Sequence, residues 1–194
     1  NILPDAGLVG LGVKILVDEV TAVDTTTKVC TSKANGEISY EKLIVGTGSL
    51  PVIPGWLKGA DLKNVYAIYK DKVYLDDLDK KLSGLKKIVV IGVGFIGVEV
   101  SDELVKAGKD VTLVEILPNI LGSTFDEMFA VEAEKLLAER GVVKKTECGV
   151  KELLGDTAIN KVALANGEIL DADAVILSLG YAPNTDLAKR MGLE

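Results

Sequence analysis

A glycine turn between a buried strand and a helix constrains this sequence more than any other feature. Residues 91–99 read IGVGFIGVE, so Gly92, Gly94 and Gly97 form the pattern GxGxxG. The pattern follows a short apolar run and opens a helical repeat of apolar residues, and Glu115 ends the next apolar strand 18 positions after Gly97. Together these contexts indicate a dinucleotide-binding βαβ unit rather than a turn that only packs a strand against a helix.

The residues of this unit suit a dinucleotide for separate physical reasons. Gly92 permits the tight turn, Gly94 lets the backbone approach a pyrophosphate, and Gly97 allows close packing of helix and strand. Free N–H groups at the helix N-terminus attract phosphate. Glu115 is placed to accept hydrogen bonds from a ribose, and residues 116–119 contain no Lys or Arg to bind a 2′-phosphate. The sequence therefore predicts NAD(H) rather than NADP(H); the alternative for Glu115 is a solvated strand end.

Apolar spacing predicts an α/β fold, namely a Rossmann-like domain with a parallel sheet and an antiparallel β-meander. Strands of the parallel sheet are expected at 88–91, 111–114 and 174–179. Two helices are expected where apolar residues recur at helical spacing: Leu75, Leu78 and Leu82 in the first, and Ile96, Val100, Leu104 and Ala107, ended by Gly108, in the second.

A third helix is predicted from about Thr124 to Arg140. Thr124 and Glu127 have the spacing of a capping box, in which each side chain accepts a hydrogen bond from the backbone N–H of the other residue. The inner face of this helix is expected to bury four apolar side chains: Phe129, Ala133, Leu136 and Leu137.

Two parts of the chain follow the same order of turns and strands. Gly12, Asn35-Gly36 and Gly48 match Gly141, Asn166-Gly167 and Gly180 at offsets of 129, 131 and 132 residues. Strands of the first copy are expected at 13–23, 28–32 and 38–45. A complete βαβ unit precedes the second copy but not the first, so the first copy is expected to have lost its nucleotide-binding half. The alternative is a chance similarity between two hairpins with Asn-Gly turns.

Composition narrows the chemistry further. Twenty-two basic against 29 acidic residues give a net charge of −7, which disfavours a nucleic acid partner. The absence of histidine removes histidine catalysis and histidine metal ligation. Cys30 and Cys148 lie far apart in strand-like stretches and are expected to be buried, inert thiols. We therefore expect no metal site and no catalytic side chain. With no membrane-length apolar run and no signal-peptide pattern, a soluble cytoplasmic protein is expected.

Five stretches in a fixed order cover nearly the whole chain: LIVGTGSLPVIPG, ADLKNVYAI, KIVVIGVGFIGVEV, VTLVE and AVILSLGYAPNT. In this order they resemble the pyridine nucleotide-disulfide oxidoreductase family, particularly its NADH oxidase and coenzyme A disulfide reductase-like branch. The resemblance implies two nested dinucleotide-binding folds, one for FAD and one for NAD(H). It also implies hydride transfer from NADH to FAD and onward to a disulfide, oxygen or another acceptor.

The resemblance assigns roles to single residues. Phe95 matches the aromatic residue that gates the nicotinamide pocket, and Glu99 matches the acid near the carboxamide. Two alternatives are equally compatible with the sequence: Phe95 is an aromatic residue that only packs, and Glu99 is a carboxylate favoured by the dipole at the helix N-terminus. Tyr181 stands where the family often has Arg, and Gly46 stands where alanine is usual. The cofactor-binding residues implied are Gly92, Gly94, Phe95, Ile96, Gly97, Glu99, Glu115 and Gly180 for NAD(H), and Thr47 and Gly48 beside FAD.

The resemblance also implies a division of the chain. Residues 1–60 are expected to be a partial FAD-binding domain and crossover, 61–180 the NAD(H)-binding domain, and 181–194 the start of the return to the FAD domain. The family's first glycine turn, redox-active cysteine and later flavin motif are not found in the sequence. We therefore expect an internal fragment that binds NADH without oxidising it. The unpaired sheet edges of the FAD remnant are expected to lead either to contacts with a second copy, which would form a homodimer, or to disorder.

Two other functions stay open from the sequence. A flavin-free NAD-dependent dehydrogenase would need a proton-relay group near the nicotinamide, such as a Tyr-Lys pair or a histidine. The tyrosines other than Tyr181 all precede the βαβ unit that begins at Lys86, and histidine is absent. A nucleotide-sensing module would bind the same ligand without catalysis and pass the signal to a partner.

Overall fold

The computed structural model describes residues 5–193, which divide into two compact units. The smaller unit comprises the described residues up to Gly48 together with those from Pro183, and the larger unit is Ser49–Ala182. The domain ranges expected from the sequence stay predictions, and their residues 1–4 and 194 lie outside the described residues.

Both units consist of short helices and strands. The helices are α1 (Asp5–Gly10), α2 (Lys72–Leu82), α3 (Phe95–Lys106), α4 (Glu127–Glu139) and α5 (Asp186–Arg190). The strands are β1 (Val20–Asp24), β2 (Val29–Ser32), β3 (Gly36–Ser39), β4 (Ser49–Pro51), β5 (Val65–Ala67), β6 (Lys87–Ile91), β7 (Asp110–Val114), β8 (Val143–Lys145), β9 (Val150–Leu154), β10 (Lys161–Leu164), β11 (Ile169–Asp171), β12 (Ala174–Leu177) and β13 (Tyr181–Pro183).

A five-stranded sheet forms the centre of the larger unit. Its spatial order is β5-β12-β6-β7-β8, and every neighbouring pair is parallel. An antiparallel meander, β9-β10-β11, forms a second sheet, and the short strands β4 and β13 pair with each other. The predicted α/β class, with a parallel sheet and a β-meander, is therefore confirmed.

The central strand β6 is buried on both faces, which explains why its sequence is an uninterrupted apolar run. Ile88 and Val90 belong to a core that also contains buried leucines of α2, α3 and α4. Val89 and Ile91 belong to a second core, which they share with buried residues of the meander such as Val162. The larger unit thus has three layers: helices, parallel sheet and meander.

Helix α3 ends at Lys106, and Gly108 acts as the predicted C-terminal cap residue, because its positive φ of 78° allows the chain to leave the helix. The N–H of Gly108 donates to the carbonyl of Val105, and the N–H of Lys109 donates to that of Leu104. This pair of bonds is a Schellman motif. Ala107, expected on the buried face, is exposed, because the last turn of the helix extends past the core.

Helix α4 differs from its prediction at its start. It begins at Glu127 with Asp126 as N-cap, and no side chain caps it, so the predicted capping box of Thr124 and Glu127 is wrong. Leu121 has a φ of 55°, and its carbonyl accepts the N–H of Thr124, which closes a turn before the helix. The predicted inner face is also partly wrong. Ala130 and Leu137 are buried and Ala133 packs against the core, whereas Phe129 and Leu136 are exposed.

The smaller unit contains an antiparallel meander of β1, β2 and β3, shorter than predicted. Residues 13–19 and 40–45 are not in strands, although both were predicted to be. Val17 and Ile44 are 95% and 94% exposed. Apolar alternation indicates where a strand can form, but a strand also needs a neighbour to accept its hydrogen bonds. Within residues 5–193, only the end residues of these stretches make backbone hydrogen bonds to the meander: the carbonyl of Glu19 accepts the N–H of Lys33, and the N–H of Tyr40 donates to the carbonyl of Lys28.

The internal repeat is visible in the backbone. All three matched glycine pairs have positive φ: 84° and 96° at Gly12 and Gly141, 71° and 89° at Gly36 and Gly167, and 72° and 96° at Gly48 and Gly180. Each copy contains a three-stranded antiparallel meander. The two copies thus share turn conformation and meander topology, and their common origin stays a prediction.

Both cysteines are buried and free, as predicted. Cys30 lies in β2, whereas Cys148 precedes β9 and is not in a strand. None of the helices among residues 5–193 combines the length and apolar character required to cross a membrane.

The carboxylate of Asp18 holds the β2–β3 turn together. It accepts hydrogen bonds from the side chain and backbone N–H of Asn35 and from the N–H of Ala34, at 2.8, 2.9 and 2.9 Å. These bonds, led by that from the Asn35 side chain, hold the pKa of Asp18 well below its usual range.

We expect Asp18→Asn to speed hydrogen exchange at the amides of Ala34 and Asn35, because an amide group accepts fewer hydrogen bonds than a carboxylate. Since the folded-state pKa is lowered, the contribution to stability is complete above the unfolded pKa of about 4 and is lost as pH falls below it. NMR-detected exchange at neutral pH measures the first effect. The control is Glu37→Gln, which removes one charge from the same meander. Equal exchange in both variants would contradict the role of Asp18.

Candidate functional site

The glycine turn joins β6 to α3 at the carboxyl end of the parallel sheet, and it requires glycine at two positions. Gly92 has a φ of 90°, and a Cβ there would lie 2.3 Å from the carbonyl oxygen of Ser178, which follows β12. A Cβ at Gly97 would lie 2.1 Å from the carbonyl oxygen of Gly92. The backbone of the turn therefore packs against the start of α3 and the end of β12.

Gly94 is different, because a Cβ there would meet nothing within 4 Å. It is the N-cap of α3 and makes no side-chain cap hydrogen bond. Within the described part of the chain, the N–H groups of Phe95, Ile96 and Gly97 have no backbone or side-chain acceptor. The turn thus leaves open space in front of several unsatisfied donors at the positive end of a helix, a surface suited to a pyrophosphate.

Glu115 follows β7 and lies against the same turn. Its Oε2 accepts the N–H of Val93 at 3.0 Å, and its Oε1 accepts the N–H groups of Ile116 and Leu117 at 2.8 and 3.1 Å. The carboxylate is therefore fixed in place beside the glycine turn by backbone donors. A carboxylate has about four acceptor positions, so it keeps capacity for a further donor such as a ribose hydroxyl.

Phe95 and Glu99 line a cleft of about 370 Å³ between α3 and α4. The exposed Phe95 ring packs edge-on against Phe125, with centroids 5.5 Å apart. On the same wall, Asp102 pairs with Lys106 and Arg140, and these two cations lower the pKa of its carboxyl group. The structure brings Phe95 and Glu99 into one cleft, and their role at the nicotinamide stays a prediction.

Gly180 follows β12, and Tyr181 after it begins β13. The hydroxyl of Tyr181 donates to the carbonyl of Ile68, which follows β5. The ammonium of Lys70 lies 4.5 Å from the centroid of the Tyr181 ring. Burial raises the pKa of Tyr181, so its hydroxyl stays protonated and donates.

Lys70 and Ser178 were not found from the sequence. Both adjoin strands that pair with partners distant in the chain, since β5 lies beside β12. The run NVYAIYK contains a short apolar strand ending near Lys70, but it does not show which strand lies next to it. Knowing that β5 lies next to β12 in the parallel sheet would have placed Lys70 near Tyr181.

Thr47 and Gly48 belong to the smaller unit, whereas the other predicted site residues belong to the larger one. The hydroxyl of Thr47 donates to the carbonyl of Asn184, and the N–H of Asn184 donates to the carbonyl of Gly48. Their predicted place beside FAD stays a prediction. Throughout residues 5–193, no cluster of three or more acidic or thiol side chains is arranged to hold a metal ion.

Comparison with known proteins matches residues 7–194 to the family described as pyridine nucleotide-disulphide oxidoreductase. Among curated proteins, the chain is similar to an NADH oxidase of Enterococcus faecalis, with 35% identity over 177 residues. That alignment covers 89% of this chain and 39% of the relative. The chain thus spans about two fifths of the length of the NADH oxidases that it matches.

Solved structures give the same result. The chain is similar to a water-forming NADH oxidase from Lactobacillus brevis bound to NADH, with a TM-score of 0.75 and 28% sequence identity. The match covers 88% of this chain and 38% of that oxidase. It is also similar to an NAD-dependent persulfide reductase from A. fulgidus, with a TM-score of 0.78 and 29% sequence identity. This match covers 90% of this chain and 33% of the reductase chain.

Proposed function

Because this chain belongs to the pyridine nucleotide-disulphide oxidoreductase family, we propose that it is the NAD(H)-binding portion of an FAD-dependent NADH oxidoreductase. In the whole protein, hydride passes from NADH to FAD and then to a disulfide, oxygen or another acceptor. The NADH oxidases among its relatives support this direction. A cytoplasmic location and a homodimer belong to the same proposal.

The observation that carries the proposal is the space in front of Gly94. Gly92 and Gly97 allow the turn to lie close to the end of β12 and the start of α3. A Cβ added at Gly94, in contrast, would meet nothing within 4 Å, and the N–H donors beside it lack acceptors. Other turn glycines such as Gly84 also face open space, so the proposal rests on the combination of that space with unsatisfied N–H donors at the start of α3 and with the nearby carboxylate of Glu115. The residues present therefore fit a dinucleotide pyrophosphate.

Each residue of the site performs a separate task in binding. The N–H groups at the start of α3 hold the pyrophosphate, and Glu115 accepts hydroxyl hydrogens of the adenosine ribose. The same carboxylate repels a 2′-phosphate, which favours NAD(H). When bound, the two cofactors supply a hydride donor and its acceptor. Thr47 and Gly48 are the residues proposed to lie beside FAD.

The experiment is a titration of the purified 194-residue protein with NADH and NADPH, followed by the fluorescence of the reduced nicotinamide. We expect NADH to bind at least about tenfold more tightly, since repulsion of the 2′-phosphate by Glu115 costs on the order of 1.4 kcal/mol or more. We also expect no NADH oxidation, because the sequence contains a single GxGxxG turn. Equal or tighter binding of NADPH would overturn the role of Glu115, and a yellow protein that oxidises NADH would overturn the expected inactivity.

A further inference from the structure

The strand order places two groups of residues on opposite sides of β6. The sheet runs from β6 to β7 and β8 on one side, and to β12 and β5 on the other. Doubly wound domains bind a dinucleotide across the point where the strand order reverses, outside the carboxyl ends of the strands. Glu115 marks the adenosine side, at the end of β7. The ends of β12 and β5 therefore mark the side of the nicotinamide.

Strands β12 and β5, on the nicotinamide side, end level with β6 in the sheet. Leu177 of β12 is paired with Ile91 of β6 and with Ala67 of β5. The residues that follow these strands thus reach the same edge of the sheet as the glycine turn. Among them, Lys70 and Tyr181 form a pair that the dinucleotide fold itself does not require.

Several contacts fix this pair. The Tyr181 ring is held by its hydroxyl bond to Ile68, and Lys70 lies over the ring face while its ammonium contacts the Ser49 hydroxyl at 3.3 Å. An aromatic face attracts a cation without neutralising it. Lys70 therefore has a defined position over the aromatic ring.

No acidic group neutralises Lys70. It takes part in no ion pair within the described part of the chain. The neighbouring carboxylate, Asp71, caps α2 by accepting the N–H of Tyr74 at 2.7 Å. Tyr74 and Tyr181 are both uncharged, because burial raises the pKa of each hydroxyl. In a chain of net charge −7, this edge of the sheet thus holds an unpaired cation.

We propose that Lys70, held over the ring of Tyr181, lies beside the nicotinamide half of the bound dinucleotide and favours NADH over NAD⁺. The nicotinamide ring of NAD⁺ carries a positive charge, whereas that of NADH is neutral, so a nearby ammonium repels only the oxidised ring. The site thereby releases its oxidised product more readily than its reduced substrate. This inference rests on the proposed function, and it assigns Lys70 as a specificity-determining residue of that site.

The test compares the dissociation constants of NADH, NAD⁺ and ADP-ribose for the full chain and for Lys70→Gln. NADH is followed by its fluorescence, and the other two ligands by competition with it. We expect Lys70→Gln to bind NAD⁺ more tightly, so that the ratio of the NAD⁺ to the NADH dissociation constant falls roughly threefold to tenfold. ADP-ribose, which lacks the nicotinamide, should keep its affinity. A gain of NAD⁺ affinity cannot result from damage to the fold.

Two further variants sharpen the comparison. Lys63→Gln removes the same charge just before the start of β5, at the opposite edge of the sheet, and should leave the ratio unchanged. Tyr181→Leu removes the aromatic face that positions Lys70 and should lower the ratio in the same direction.

The outcomes are distinguishable. An unchanged ratio in Lys70→Gln, in a chain whose wild type binds NADH, would overturn this inference and leave the proposed function standing. Equal weakening of all three ligands would overturn it as well, since Lys70 would then contact phosphate. Failure of the wild type to bind any of the three would overturn the proposed function and, with it, the role of Lys70.

Discussion

Gly94→Ala is expected to abolish measurable NADH binding while the larger unit stays folded. The added methyl group meets no protein atom within 4 Å, so the fold does not resist it. It projects instead into the space proposed for the pyrophosphate, where close approach of the backbone is required. Gly97→Ala should behave in the opposite way. Its methyl group would lie 2.1 Å from the Gly92 carbonyl, so the strand and helix must separate, at a cost of roughly 2–3 kcal/mol or more.

Thermal unfolding and NADH titration of the two variants separate these effects. We expect Gly94→Ala to melt within about 2 °C of the wild type and Gly97→Ala to melt at least about 5 °C lower. The control is Gly84→Ala, in the loop after α2, where a Cβ also meets nothing within 4 Å and no ligand is proposed. Retention of NADH affinity in Gly94→Ala would exclude the glycine turn as the pyrophosphate site.

Glu115→Ala is expected to weaken NADH binding roughly 10- to 100-fold and to remove the preference for NADH over NADPH. Loss of charge-assisted hydrogen bonds to the ribose accounts for about 1.5–3 kcal/mol. The substitution also releases the N–H of Val93, which Glu115 accepts at 3.0 Å, so the turn itself becomes less ordered. Both effects act in the same direction on NADH, whereas NADPH gains from the loss of a repelling charge.

The matched control is Glu132→Ala, which removes one acidic side chain from the exposed surface of α4. It should change neither the NADH affinity nor the ratio of the two affinities. Glu115→Gln adds a second comparison, because it keeps the shape of the side chain and removes only its charge. A wild-type preference for NADH in both Glu115 variants would show that another residue discriminates the 2′-phosphate.

The parts of the fold that sequence spacing predicted well are those determined by local rules. The run ending at Ile91 is a buried central strand, Gly108 ends α3 by a Schellman motif, and Glu115 reaches the glycine turn from β7. Each depends on burial, backbone conformation or chain order over a short distance. Such features are therefore readable from neighbouring residues.

The parts that could not be predicted depend on distant partners. Residues 13–19 alternate like a strand but have no ladder, and β5 is placed by pairing with β12 more than 100 residues later. The capping box at Thr124 failed because a left-handed residue, Leu121, closes a turn there. Lys70 was missed for the same reason as β5, since its neighbour Tyr181 follows β12.

The burial of β6 on both faces links binding to global stability. Because its alternate side chains belong to two different cores, neither the helical layer nor the meander can melt without exposing the same strand. The glycine turn continues directly from that strand, so unfolding of β6 also removes the turn. Nucleotide bound at the turn therefore acts on the cooperative transition of the entire domain, rather than on the fraying of one loop.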